Sequence, residues 1–288
     1  EVFRDLKWDV CVTYIDDIVV FTKTYEEHVE ALTQIFSRIR HYGLFFKPEK
    51  CKIFTKELKF LGHIISETGV AVDPDKIKAV TEMKRPETVK ELKSALGFLS
   101  YFRKYIPGFS RLASPLLQEL KGTKAKLKSQ SRAKILWPDS HQSAWEMLTA
   151  ALVAAPILAH PDWLSQFEVH CDACMHGLGA ALMQRDSMNN NTVVMFASKS
   201  LTDAETRYSM WEMEALCCVW AVTGAFQQYL RPPFGGQFKL FTDNVAVSKL
   251  FDPDKKKEDL NARLCHWIMK LSEYDYTVHH RSGASNAV

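Results

Sequence analysis

The sequence predicts a multidomain protein of mixed α and β structure, with an α+β first part and an α/β second part around a mixed five-stranded sheet. A chain of 288 residues corresponds to about two domains. Apolar residues recur at helical spacing through much of residues 74–162. From about residue 163 three strand patterns are followed by alternating helices and strands, which is typical of a layered α/β domain.

The composition is that of a globular protein. Hydrophobic residues make up 47% and charged residues 25%, which argues against a disordered or fibrous chain. No apolar run approaches the roughly 18 residues of a membrane span. The chain begins with Glu1 and has no leader pattern, so we expect a piece of something longer, located inside the cell and not secreted. Seven irregularly spaced cysteines favour a reducing compartment.

The small net charge of +3 hides an uneven distribution. Residues 1–73 carry −2, residues 74–138 carry +10 and residues 139–288 carry −5. A basic middle between acidic ends predicts an anionic partner held centrally, with carboxylates elsewhere available for metal. The alternative is a solvated, lysine-rich face.

The first part of the chain predicts a hairpin followed by a helix. Residues 9–22 contain two β-prone runs with Asp16 and Asp17 at the tip between them. Residues 26–42 have apolar side chains at helical intervals, and Gly43 is placed to end that helix.

The basic middle is predicted to be largely helical. Residues 60–65 favour one strand before it, and Pro74 is suited to a helix start. Residues 88–105 form a long amphipathic segment. Residues 121–134 are rich in lysine and poor in apolar side chains, which predicts a flexible connection, and a helix follows at 140–152.

The last part predicts the five strands of the sheet. In the first of these, Phe167, Val169 and Cys171 alternate with Glu168, His170 and Asp172, so one set faces the core. The strands are predicted at residues 166–172, 177–184, 192–198, 237–242 and 275–280. Helices are predicted from residue 210, at 245–251 and at 258–272.

The strongest local signal for chemistry is the pair Asp16 and Asp17. Two adjacent carboxylates on a tight hairpin suit a divalent cation, because Mg²⁺ commonly takes one or two carboxylates together with substrate phosphates. Aspartates are also common in turns, so the pair alone leaves both interpretations open.

Longer motifs give the chain a family resemblance. They include YIDDIVVFTKTYEEH from Tyr14, FLGHIIS from Phe60, ALGFLSYFRKYIPGFSRLASPL from Ala95, CDACMHGLGAALMQ from Cys171 and FTDN from Phe241. Taken in this order and spacing, the chain closely resembles the reverse transcriptase–ribonuclease H segment of gypsy-class long-terminal-repeat retrotransposon polyproteins, shortened at both ends.

The resemblance implies four regions. Residues 1–73 correspond to the C-terminal part of the polymerase palm, 74–120 to the thumb, 121–162 to the connection and 163–288 to the ribonuclease H-like domain, without its C-terminal end. A thumb that follows a duplex backbone would explain the +10 charge of the middle.

The resemblance also implies the site residues. Those implied to be catalytic and to bind metal are Asp16, Asp17, Asp172, Glu214 and Asp243. Those implied to contact nucleic acid are Phe60, Leu61, Gly62, His63, Lys90, Lys93, Arg103 and Lys104. The implied cofactor is Mg²⁺ in a two-metal site, with Mn²⁺ as a substitute.

Two glutamates compete for the helical position of the nuclease site. The spacing of Ser209 and Glu212 fits a capping box, in which Glu212 reaches back to the N–H at the helix start. That leaves Glu214, which is also the glutamate that the family pattern selects. A zinc cluster of His170, Cys171, Cys174 and His176 is disfavoured, because Cys171 alternates toward the core.

The expected function is metal-dependent hydrolysis of the RNA strand of RNA/DNA hybrids, with RNA-directed DNA polymerisation in the full-length parent. The first palm aspartate would precede Glu1 and a fourth nuclease carboxylate would follow Val288. The alternative is an inactive remnant that binds nucleic acid through its basic thumb. Expected partners are an RNA/DNA hybrid, a primer–template duplex and the rest of the polyprotein, in a cytoplasmic virus-like particle or the nucleus, with no membrane.

Overall fold

The structure is a computed structural model that describes residues 2–123, 134–231, 235–255 and 260–281. The chain forms two compact units, Glu1–Thr55 and Lys56–Val288. In the described part of the chain, no helix has the length and apolar character needed to cross a membrane. The lysine-rich stretch predicted as a flexible connection lies for the most part outside the described residues.

The first unit opens with the predicted hairpin. Strands β1 (Cys11–Tyr14) and β2 (Asp17–Val20) pair antiparallel, and Ile15 and Asp16 form the turn between them. The φ of Ile15 is 53°, a left-handed conformation that closes the short connection. The prediction is confirmed, with Asp16 in the turn and Asp17 as the first residue of the second strand.

Helix α1 (Tyr25–His41) completes the first unit. Thr24 Oγ1 accepts a hydrogen bond from the Glu27 N–H at 3.2 Å, and Glu27 Oε2 accepts one from the Thr24 N–H at 3.3 Å. Gly43, with φ of 65°, follows the helix end as predicted. The apolar face of α1, including buried Ile35, packs on the hairpin.

The second unit begins with a three-stranded antiparallel sheet. Its strands are β3 (Glu57–Phe60), β4 (His63–Ser66) and β5 (Gly69–Val72). The prediction of one strand at residues 60–65 is therefore wrong. Leu61 (φ 50°) and Gly62 (φ 78°) both adopt left-handed conformations, which reverse the chain inside an apolar run.

Four helices follow the small sheet. They are α2 (Pro74–Thr81), α3 (Val89–Tyr101), α4 (Phe109–Thr123) and α5 (Asp139–Val153). The predicted helix over 88–105 ends at Tyr101, and a 3₁₀ turn spans Arg103–Tyr105. Helix α4 was not predicted as a separate element, because Pro115 lies inside it and interrupts the usual helical signal.

One hydrophobic core holds these helices to the small sheet. It contains Leu99 of α3, Leu116 of α4 and Leu148 of α5, all fully buried. Leu158 then pairs with Val70 of β5 through two backbone hydrogen bonds of 2.8 and 2.9 Å. The helical region and the segment after residue 134 therefore share one core.

The last region contains the predicted five-stranded mixed sheet, and the predicted fold class is confirmed. Its strands are β6 (Glu168–Cys174), β7 (Gly177–Arg185), β8 (Asn191–Lys199), β9 (Phe238–Thr242) and β10 (Tyr276–His280). The order is β10-β9-β6-β7-β8, with β6, β7 and β8 antiparallel and β9 parallel to both β6 and β10. Its helices are α6 (Met210–Trp220), α7 (Gln227–Leu230), α8 (Val245–Phe251) and α9 (Ala262–Leu271).

Both faces of the central strand β6 are buried. Val169 and Cys171 face the main core, as predicted from their alternation. On the opposite face Glu168 and His170 are buried too, and Glu168 accepts a hydrogen bond from Arg185 Nε at 2.9 Å. Two of the three polar residues of the predicted alternation, Glu168 and His170, therefore lie inside the protein, with the Glu168 charge compensated.

Candidate active site

Two carboxylates come together because two strands of the sheet are parallel. The last paired residues of β6 and β9 are His170 and Phe241, whose rings stack 4.6 Å apart. Asp172 and Asp243 lie two positions further along the chain from this pair, and the charge of Asp243 adds to the effect of burial in raising the pKa of Asp172, so the two carboxylates are neighbours. Asp243 directly follows β9, as predicted. Asp172 does not end β6, because pairing with β7 continues the strand to Cys174.

The third carboxylate, Glu214, reaches β6 from helix α6. It is only 6% exposed, and its Oε1 accepts a hydrogen bond from the Ala173 N–H at 3.1 Å. Its Oε2 is buried and has no hydrogen-bond partner in the described structure. A buried carboxylate oxygen without a partner carries a large desolvation cost, so this atom needs a cation or a proton.

The competing glutamate, Glu212, is occupied elsewhere. Its Oε2 accepts hydrogen bonds from the N–H and the hydroxyl of Ser209 at 3.0 and 2.7 Å. Its Oε1 pairs with Arg263 at 2.6 Å. The capping prediction is confirmed, and Glu214 is the glutamate whose pKa responds to the charges of Asp243 and Asp172, whereas that of Glu212 is lowered by its contacts with Ser209 and Arg263.

Charge repulsion couples the three carboxylates. Burial, followed by the charges of Asp243 and then Asp172, raises the pKa of Glu214 to about 8. Burial and the charge of Asp243 also raise the pKa of Asp172, against the opposing effect of Arg111. The charges of Asp243 and Asp172 thus make the ionisation of Glu214 less favourable, a pattern that a bound cation reverses.

The carboxylates are neighbours without forming a closed set of metal ligands. Among the described residues, no group of three His, Cys, Asp or Glu side chains is arranged to hold a metal ion. A divalent cation nevertheless fits the chemistry of the site, because the unpartnered oxygen of Glu214 and the mutual repulsion of the three charges both call for positive charge.

The predicted polymerase aspartates lie in the first unit and are exposed. Asp16 lines an open cavity of about 640 Å³ together with Arg4, Lys7 and Thr13. Asp17 pairs with Tyr14 at the start of β2. Among the described residues, Asp16 is the one carboxylate in the lining of this cavity.

The predicted primer-binding residues form the β3–β4 turn, and aromatic side chains of α3 and the following turn hold it. The Tyr101 hydroxyl donates to the Leu61 carbonyl at 2.7 Å, and Tyr105 hydrogen-bonds His63 Nδ1 at 2.9 Å. Burial, followed by the charge of Lys104, lowers the pKa of His63 to about 4. The turn, with Phe60 at the end of β3 and Gly62 at its tip, is therefore presented as one fixed shape with a neutral histidine.

The four cationic side chains predicted to bind nucleic acid occupy two kinds of environment. Lys90 and Lys93 are exposed on α3. Arg103 donates to the Ser198 carbonyl and lies over the Phe109 ring, while Lys104 lies over the Tyr105 ring. Burial lowers the pKa of both Arg103 and Lys104. Only the two lysines of α3 are fully open to solvent.

Sequence reasoning missed Arg111, which lies beside Asp172, one of the predicted nuclease carboxylates. It lies in α4 and lines a small cleft with Gly108, Asp172, Cys174 and Gly177. Because α4 was not predicted and its contact with the sheet is long-range, no local pattern could have located this arginine.

The candidate zinc ligands do not converge. His170 and Cys171 point to opposite faces of β6. The Cys171 thiol lies in the core beside Cys217 and Cys218. Cys217 Sγ in turn donates to the carbonyls of Asp172 and Gly179 at 3.3 and 3.1 Å, which makes these thiols part of the packing behind the carboxylates.

Comparison with known proteins identifies two family regions. Residues 1–65 match the reverse transcriptase (RNA-dependent DNA polymerase) family, and residues 137–239 match the RNase H-like domain found in reverse transcriptases. Enzymes of these families generally depend on divalent metal ions.

Curated relatives align over the whole chain. The Drosophila melanogaster Pol polyprotein from transposon 297 is 32% identical over 100% of this chain and 25% of its own length. The Pol polyprotein from transposon gypsy of the same fly is 27% identical over 100% of this chain and 27% of its own length. The Schizosaccharomyces pombe transposon Tf2-3 polyprotein is 28% identical over 96% of this chain and 20% of its own length. The chain thus spans about a quarter of the relatives it matches.

Solved structures of the foamy viral protease–reverse transcriptase share the fold. One, in complex with double-stranded DNA, has a TM-score of 0.76 and 22% identity, and covers 97% of this chain and 47% of that protein. Another, in complex with an RNA/DNA hybrid, has a TM-score of 0.74 and 21% identity, covering 98% and 36%. The chain is a reverse transcriptase–ribonuclease H segment of the type found in long-terminal-repeat retrotransposon polyproteins.

Proposed function

We propose that this chain hydrolyses the RNA strand of RNA/DNA hybrids, with Asp172, Glu214 and Asp243 as the residues that hold the metal ions. The observation that carries the proposal is the buried, unpartnered Oε2 of Glu214, a residue whose pKa is raised by burial and then by the charges of Asp243 and Asp172. A purely structural helix would not place an uncompensated carboxylate against two others, because each charge raises the cost of ionising the next.

The residues present would hold Mg²⁺, with Mn²⁺ as a substitute. When bound, the metal ions supply a water of lowered pKa and stabilise the oxygen that leaves the phosphodiester. The two aspartates would hold the ions, while Ala173 fixes one oxygen of Glu214 and leaves the other free for an ion. Burial of Glu214 excludes bulk water from one side of the site.

An RNA/DNA hybrid is the substrate that these features favour. Residues 74–138 carry +10, which suits a nucleic-acid backbone, and Lys90 and Lys93 are exposed on this region. The foamy viral proteins of similar fold were solved with double-stranded DNA and with an RNA/DNA hybrid. Choice of the RNA strand would depend on contacts to its 2′-hydroxyl groups.

We further propose that Asp16 and Asp17 serve RNA-directed DNA polymerisation in the full-length polyprotein. Their exposed hairpin is suited to carboxylates that share metal ions with nucleotide phosphates. The fixed β3–β4 turn, from Phe60 to His63, would hold the primer end, and the remaining polyprotein would be the partner that completes the polymerase site.

The decisive experiment incubates the purified 288-residue chain with a labelled RNA/DNA hybrid in Mg²⁺ and in EDTA. Cleavage in Mg²⁺ only is expected, and Asp172→Asn should abolish it. Asp203→Asn is the matched control, since Asp203 is an exposed carboxylate of the same domain outside the site. Binding of the hybrid without cutting, with a steep dependence on salt, would instead support a protein that only binds nucleic acid.

A further inference from the structure

Helix α4 of the basic region docks directly on the edge of the nuclease sheet. The Ser110 N–H and hydroxyl donate to Ser198 Oγ of β8 at 3.1 and 3.2 Å, and both serines are buried. A Cβ built on Gly177 of β7 would come within 3.3 Å of Ser110 Cβ. The same Cβ would clash with the Lys199 carbonyl oxygen of β8 at 2.6 Å, so position 177 favours glycine, and the start of α4 lies close against β7 and β8.

The docking places Arg111 at the nuclease carboxylates. Gly108 turns the chain with φ of 59°, and the position of a Cβ there lies only 3.5 Å from Arg111 Nη2, so the guanidinium lies back over this turn. Arg111 and Asp172 line the same small cleft, with Gly177 and Gly179 as its floor. The cleft holds about 10 Å³, so nothing larger than a water molecule separates its walls.

The guanidinium remains accessible. Arg111 is exposed, and among the ion pairs of the described residues none within 4.0 Å involves it. Arginine recognises phosphate with two parallel hydrogen bonds from one planar group, and does so best when its geometry is fixed beforehand. An exposed arginine held beside a carboxylate that would bind metal at the scissile phosphate is therefore in position to take a neighbouring phosphate.

We propose that Arg111 is a substrate-binding residue of the nuclease site, whose guanidinium binds a backbone phosphate of the nucleic acid next to the phosphate that is cut. This rests on the proposed nuclease function. It makes the site composite, because its carboxylates come from the sheet domain while a phosphate ligand comes from a helix of the basic region.

The experiment compares Arg111→Ala and Arg111→Lys with Lys270→Ala, in the full chain. Lys270 is an exposed cation on α9, outside the cleft. The dissociation constant for a labelled hybrid is measured in EDTA at several salt concentrations, and kcat and KM for its cleavage are measured in Mg²⁺. Unchanged melting temperatures would show that the variants fold.

For Arg111→Ala the dissociation constant and KM should rise about tenfold, and the slope of log affinity against log salt should become shallower by about one. Arg111→Lys should restore the salt slope and only part of the affinity, because lysine cannot form a bidentate contact with phosphate. Lys270→Ala should match the unmodified chain. Equal affinity and slope for Arg111→Ala and the unmodified chain would overturn the proposal, as would a loss in kcat with KM unchanged.

The binding and cleavage measurements separate the two proposals. If the unmodified chain binds the hybrid and does not cut it, the nuclease function fails, while the EDTA titrations still decide whether Arg111 contacts nucleic acid. If the chain cuts the hybrid and Arg111→Ala binds as tightly as before, the nuclease function stands and the arginine proposal fails.

Discussion

The two sets of metal-binding candidates differ most in how much protein surrounds them. Asp16 and Asp17 are exposed, in the turn and at the start of β2 in the first unit, while Glu214 is buried and its pKa is raised by burial and by the charges of Asp243 and Asp172. An exposed carboxylate pair stays solvated, so it lowers the stability of the fold little when no substrate or ion is bound. A buried Glu214 beside two half-buried aspartates is costly to ionise without a cation, so metal binding at this trio would also change the stability of the domain.

The largest expected effect comes from removing the buried charge. Glu214→Gln keeps the acceptor for the Ala173 N–H and loses the anionic oxygen. Cleavage of an RNA/DNA hybrid in Mg²⁺ should fall by at least about 100-fold, since a metal ligand is lost. Asp203→Asn, at an exposed site of the same domain, is the control. Comparable cleavage by Glu214→Gln and the control would show that Glu214 does not take part in cleavage.

A pH titration tests whether the trio destabilises the metal-free fold. The pKa of Glu214 is raised from 4.5 to about 8, so the folded chain keeps a proton that the unfolded chain releases. This stabilising contribution is complete below about pH 4.5 and is lost as the pH rises through 8. The difference in unfolding free energy between the unmodified chain and Glu214→Gln in EDTA should therefore change by up to a few kcal/mol across this range.

Magnesium should cancel much of that pH dependence, because a cation favours the ionised trio. The readout is the melting temperature with and without Mg²⁺ at pH 7. If Mg²⁺ raises the melting temperatures of Glu214→Gln and of the unmodified chain equally, the ion does not bind at Glu214, Asp172 and Asp243.

A smaller effect is expected behind the carboxylates. Cys217→Ala removes the contacts from Sγ to the carbonyls of Asp172 and Gly179, and should cost about 1–2 kcal/mol of unfolding free energy with a few-fold drop in cleavage. Cys217→Ser keeps a donor of similar size and serves as the matched variant. Equal losses in both would mean that thiol packing matters and the hydrogen bonds do not.

The smallest effect concerns the turn that would hold the primer. Tyr101→Phe removes the hydrogen bond to the Leu61 carbonyl from a half-exposed position and should lower the unfolding free energy by about 0.5–1 kcal/mol. Tyr42→Phe, at an exposed tyrosine of the first unit, is the control for the substitution itself. If calorimetry gives the same melting temperature for both variants, the hydrogen bond from Tyr101 to the Leu61 carbonyl does not contribute to stability.

The sequence was a good guide wherever periodicity and capping decide the structure. The hairpin at Asp16, the capping box at Ser209 and the mixed sheet follow from local pattern and alternation. The turn at Leu61 did not, because a left-handed leucine inside an apolar run has no sequence signature. Pro115 concealed α4.

The residue types of the candidate site could be predicted from the sequence, but their burial and hydrogen bonding could be predicted only in part. Family resemblance and strand order selected Asp172, Glu214 and Asp243, yet the unpartnered oxygen of Glu214 depends on how α6 packs on β6. Arg111 was out of reach for the same reason, since its position depends on Ser110 and Ser198, which are 88 residues apart in the chain.

The shared core of the helical region limits where two related retrotransposons can recombine within this segment. Leu148 and Leu158, which follow the lysine-rich stretch, pack with α3, α4 and β5, which precede it. A single protease cut between residues 123 and 134 should therefore leave two fragments that still migrate together. Recombination that joined the nuclease of one element to the polymerase of another at this point would break a core, so viable chimaeras should carry α4 along with the nuclease.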